Sequence, residues 1–119
     1  MKKTMNGGID IRGIDIRGID ILWLDDIRDP KNFINVDCDV VWVKTYDDFV
    51  KTVTEKMPLM VSFDHDLGTD KSGYDCAKWL INYCIEKNVA VPDYDIHSAN
   101  PVGRANIDSL FKSYNKIFK

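Results

Sequence analysis

Three polar clusters, Asp25-Asp26, Asp64-His65-Asp66 and His97-Ser98, each follow a run of apolar residues. Paired carboxylates can hold a divalent cation, and imidazoles beside carboxylates can move protons. Taken alone, Asp64-His65-Asp66 admits four readings: a metal site, a phosphoryl acceptor, an acid/base pair, or a polar turn closing a strand. The choice among them depends on what else the fold brings to the same place.

The apolar runs read as buried parallel strands: Ile19 to Leu24, Asp39 to Lys44, Leu59 to Phe63 and, more weakly, Asp93 to His97. Helical patterns lie between them. Thr45-Tyr46-Asp47-Asp48 has capping-box spacing and leads into Phe49, Val50, Val53 and Met57. Ser72 to Asp75 repeats that start signal ahead of Ala77, Leu80, Ile81 and Cys84, which recur at helical intervals. A last helix carries Ile107, Leu110, Phe111, Tyr114 and Phe118 on one side and lysines near its end. Residues 27–38, with Pro30 and two asparagines, suit an irregular crossover. The alternation predicts an α/β fold: a small open parallel sheet of about four or five strands flanked by helices. The N-terminus repeats GIDIR, so residues 1–17 are expected to form a mobile or edge extension and residues 18–119 the domain.

In such a sheet the strand C-termini share one edge, where ligands bind. This gathers Asp25, Asp26 and Asp64, whose crowded carboxylates would repel one another without a cation. Oxygen ligands favour Mg²⁺, with Mn²⁺ or Ca²⁺ as alternatives, whereas His65 and His97 point toward Zn²⁺ or Mn²⁺. The segment HSANPVGRAN, residues 97–106, predicts an anion site: a turn shaped by Pro101 and Gly103, then free helix N–H groups, Arg104, and Asn100 or Asn106 as donors. Each cluster also has a plainer reading, as a solvated turn, a hydrogen-bonded polar group, or an N-capped helix entry. Their expected convergence favours the site.

The 119 residues, 45% hydrophobic, suit one domain with its own core. A net charge of −3 argues against gripping DNA by bulk electrostatics. Cys38, Cys76 and Cys84 form no CxxC pair, which fits reduced thiols. No apolar stretch reaches membrane-span length, and no apolar segment backs the N-terminal lysines, so a cytoplasmic, unexported protein is expected.

LWLDDIRDP, SFDHDLG and HSANPVGRAN, in this order and at strand ends, resemble the cyclic-phosphate-processing receiver-like domains, relatives of the response-regulator receiver (flavodoxin-like) fold. The resemblance spans roughly residues 19–118. It implies that Asp25, Asp26 and Asp64 stand where receivers hold Mg²⁺, that Asp64 matches the phosphoryl acceptor, and that Ser98 matches the receiver hydroxyl position. A receiver would then add a strand ending in lysine, whereas only one helix follows Ser98, and Lys112, Lys116 and Lys119 lie within or after it.

The added His65, Asp66 and His97 suit acid/base chemistry on a phosphoester. The expected function is therefore a metal-dependent phosphoesterase acting on a cyclic phosphate, either a cyclic nucleotide or an RNA 2′,3′-cyclic phosphate. Asp25, Asp26 and Asp64 would hold the metal, and His65 and His97 would act as base and acid. Asp66 would orient a histidine, while Arg28, Ser98, Asn100, Arg104 and Asn106 would face the substrate. The expected partner is thus a phosphate-containing small molecule or an RNA end. The alternatives are a non-catalytic cyclic-nucleotide-binding module and a phospho-accepting receiver.

Overall fold

The computed structural model describes residues 18–34 and 39–118, with the side chain of residue 118 left aside. The expectations for residues 1–17, and those for Cys38 and Phe118, lie outside the described residues. Four strands, β1 (Ile19–Leu24), β2 (Val40–Val43), β3 (Pro58–Phe63) and β4 (Asp93–Ile96), form one parallel sheet in the order β2-β1-β3-β4. Helices α1 (Tyr46–Glu55), α2 (Gly73–Lys87) and α3 (Pro101–Phe118) follow β2, β3 and β4. This is the expected receiver-like α/β arrangement, with four strands among the described residues.

Local chemistry sets the element boundaries. Thr45 caps α1 by accepting from the Asp48 N–H. Ser72 and Asp75 form a reciprocal capping box on α2, and Asn88 ends that helix in the left-handed conformation. The crossover from β1 to β2 is irregular, as expected, and holds only the short 3₁₀ turn Pro30–Asn32, capped by Asp29.

Strand pleating separates two faces. On one, Leu22, Leu24, Val61 and Phe63 are fully buried in a core that all three helices complete with Phe49, Val53, Cys76, Leu80, Ile107 and Phe111. Cys76 and Cys84 are free thiols in that core, where burial pushes the Cys76 thiol up to about 12. Register places Trp23, Ser62 and Asp95 side by side on the other face. No described helix covers that face, yet Trp23 and Ser62 are buried, by loop residues from the strand ends. No helix among the described residues is long and apolar enough to cross a membrane.

Candidate functional site

The three strand ends do converge. Asp25 follows β1, Asp64 follows β3 and Ser98 follows β4 by two residues, and all three are buried polar groups. Asp25, Asp26 and Asp64 each place one carboxylate oxygen within 4.8 Å of the others. They line an open cleft of about 450 Å³ together with Arg28, Asp66, Ser98 and Asn100. The sheet edge thus collects seven of the predicted site residues from three loops.

Asp25 anchors its own loop. Its Oδ1 accepts the backbone N–H groups of Ile27 and Arg28, both at 2.9 Å, and its Oδ2 lies 3.0 Å from His97 Nε2 and 3.6 Å from Arg28 Nη1. Most of its lone pairs are therefore engaged within the protein. Among the described residues, the Asp26 side chain accepts no hydrogen bond. Asp64 accepts from the His65 N–H at 2.8 Å and from the Ser98 hydroxyl. Burial, then the charge of Asp25, pushes the Asp64 carboxyl above its ordinary range. These all-oxygen donors fit a hard divalent cation, with Asp26 and Asp64 as the freest ligands and Asp25 completing the cluster. Neither imidazole joins the cluster, so the donor set suits Mg²⁺ better than Zn²⁺.

Backbone geometry builds the cluster's walls. Gly68 adopts φ 69°, and a Cβ there would stand 3.1 Å from Asp26 Oδ2. At Gly73 a Cβ would sit 1.8 Å from the Asp64 carbonyl oxygen, and the Gly73 N–H donates to the His65 carbonyl at 2.7 Å. Glycine is thus required where α2 starts against the Asp64 loop. Indole N–H groups pin the first loop: Trp42 donates to the Asp25 carbonyl at 2.7 Å and Trp23 to that of Arg28 at 2.8 Å.

The two histidines differ. His65 does not line the cleft. Its ring lies against Gly103 at the start of α3, where a Cβ would meet Cγ at 2.3 Å. Its Nδ1 is 3.0 Å from Asp66 Oδ1, and among the described residues Nε2 has no partner. The pair holds the Asp66 carboxyl below its ordinary range, chiefly through that bond and then through Asn100. His97 is flat on Trp23, with ring centroids 3.9 Å apart and an interplanar angle of 1°. Its two nitrogens face Asp25 and Ser62, the latter at 2.8 Å, and burial, opposed by the bond to Asp25, pushes its pKa down. This corrects the expectation of His97 as a free acid or base, because neither nitrogen points into the cleft.

The anticipated anion site at residues 97–106 also needs correction. The helix starts at Pro101, which has no N–H to offer, and Asn100 is its cap: Oδ1 accepts from Val102 and Gly103, both at 3.1 Å, while the Asn100 carbonyl accepts from Arg104 at 2.9 Å. The first-turn donors are therefore spent. Arg104 donates to the carbonyls of Ile96 at 2.6 Å and Ser98 at 3.3 Å, away from the cleft, and Asn106 is exposed farther along α3. Asn100 Nδ2 does reach the cleft wall, donating to Asp66 at 3.3 Å.

Sequence reasoning missed Trp23, Trp42 and Ser62. Ser62 carried a signal, as the one hydroxyl within the apolar run LMVSF at a position that pleats away from the core.

The family model described as "Cyclic-phosphate processing Receiver domain" matches residues 21–113. No curated protein and no solved structure matches the chain at a significant level.

Proposed function

Because the chain belongs to the cyclic-phosphate processing receiver family, we propose that its strand-end cleft hydrolyses a cyclic phosphodiester with the help of a divalent cation. The observation that carries this reading is the gathering of Asp25, Asp26 and Asp64 within 4.8 Å at the sheet edge.

Asp26 and Asp64 would hold the cation, with Asp25 behind them. When bound, the ion polarises phosphoryl oxygens and lowers the pKa of a water. The chain's own groups supply the rest. Arg28, 37% exposed at the cleft, extends a guanidinium whose remaining N–H groups suit phosphate oxygens. Ser98 and Asn100 hold Asp64 and Asp66 in place. Water adds to phosphorus, one ring P–O bond breaks, and the proton lost by the water balances the one gained by the leaving oxygen, giving a phosphomonoester.

The test is a panel of 3′,5′- and 2′,3′-cyclic nucleotides and an RNA ending in a 2′,3′-cyclic phosphate, incubated with Mg²⁺ or Mn²⁺ and read by phosphorus NMR. Ring opening that disappears in Asp64→Asn is expected. Ligand binding with every ring left intact would show a binding module instead, and a stable acyl phosphate on Asp64 after acetyl phosphate treatment would show a receiver.

A further inference from the structure

Ser62, His97 and Trp23 form a supporting layer beneath the carboxylate cluster. His97 Nε2 meets Asp25 Oδ2 at 3.0 Å, and His97 Nδ1 meets Ser62 Oγ at 2.8 Å. A carboxylate only accepts, so Nε2 carries a proton, and in the neutral ring Nδ1 then accepts from the serine hydroxyl. Asp95 Oδ2 lies 3.5 Å from the same hydroxyl, and one proton serves only the shorter contact. Ser62 is 3% exposed and Asp25 1%, which rules out Ser62 as a nucleophile despite its triad-like alignment. Trp23 fixes the ring plane by stacking and has Phe33 stacked on it in turn, with centroids 5.7 Å apart.

We propose that Ser62 and His97 are positioning residues: they lock one imidazole tautomer so that its Nε2–H holds the Asp25 carboxylate, and through Asp25 the loop carrying Asp26, in a cation-binding geometry. Without this N–H, Asp25 Oδ2 keeps only Arg28 at 3.6 Å, and the carboxylate is free to rotate. Rotation would loosen the two N–H bonds to Oδ1 from Ile27 and Arg28, which shape the turn through Asp26. Orienting partners of this kind typically change metal affinity by about 10- to 100-fold. The effect on a cation rests on the metal reading above, whereas the anchoring of Asp25 does not.

Two readouts separate these claims: amide hydrogen exchange at Ile27 and Arg28 in chelator, and titration with Mn²⁺ alone. His97→Phe keeps the stack on Trp23 and removes the N–H. It should speed exchange at both amides by about 10-fold relative to α2 and weaken Mn²⁺ binding by about 10-fold or more. His97→Gln restores a donor near the Nε2 position and should recover both. Faster exchange with no Mn²⁺ binding by the parent protein would support the positioning and overturn the metal reading. Weakened Mn²⁺ binding with unchanged exchange in His97→Phe would overturn the positioning. Should the Phe variant fail to fold, Ser62→Ala decides, because nitrogen NMR should then show His97 losing its single Nε2–H tautomer; an unchanged tautomer would overturn the proposal.

Discussion

Asp64→Asn in the metal-free protein should raise stability. The Asp64 carboxyl is held above its ordinary 3.8 by burial first and by the charge of Asp25 second. Two unit charges within 4.8 Å of each other repel by at least about 3 kcal/mol at an effective dielectric constant of about 20. Arg28, 3.6 Å from Asp25 Oδ2, offsets part of this. Replacement by the neutral amide should therefore gain about 1–2 kcal/mol, or roughly 4–8 °C per kcal/mol in the melting midpoint of a domain this size. The amide oxygen can still accept the His65 N–H. A raised folded-state pKa means that the folded chain binds more protons than the unfolded chain at pH just above 3.8. Stability of the parent protein accordingly falls as pH rises through that interval and levels off at the lower value above it. The variant should lack that slope. Denaturant melts from pH 3.5 to 8 in chelator test both effects, and a variant less stable than the parent at pH 7, or one retaining the slope, would refute the reasoning. Addition of Mg²⁺ should reverse the ranking, by about 2.7 kcal/mol for the parent at 100 times its Kd.

Gly73→Ala would drive a Cβ to 1.8 Å from the Asp64 carbonyl oxygen, so it should cost at least about 3 kcal/mol and abolish Mn²⁺ binding in a combined melt and titration. Ser72→Ala removes the side-chain half of the α2 capping box and should lower stability by about 1 kcal/mol without changing Mn²⁺ affinity. Tyr94 is pushed up from 10.0 to about 12 by burial and then by its bond to Asp108. Stability should therefore fall as pH rises from 10.0 toward 12, and ultraviolet titration should show one late-ionising tyrosine that titrates earlier in Asp108→Asn.

Elements with a local cause were legible in the chain. The N-cap at Thr45 and the capping box at Ser72, apolar runs ending at Asp25 and Asp64, and the rule that ligands bind where parallel strands end were enough to anticipate both the sheet and the carboxylate cluster. Side-chain direction was not legible. His97 and His65 look alike as strand-end histidines, but the pleat turns His97 onto Trp23, while Gly103 leaves room for the His65 ring under α3. Asn100-Pro101 could equally be a turn before a helix or the cap and first residue of one. Proline at the first helical position decides for the second, and the Asn100 cap takes up the Val102 and Gly103 N–H groups that an anion would have used. Ser62 acquires its role only through a partner 35 residues away, a distance no local pattern spans.

The most direct measurement of the account is the fate of a cyclic phosphate incubated with the protein, with and without a divalent cation. Ring opening to a phosphomonoester should require Mg²⁺ or Mn²⁺, be abolished by chelator and by Asp64→Asn, and be reduced rather than abolished by His97→Phe. Ring opening that persists undiminished in chelator, or in Asp64→Asn, would contradict it.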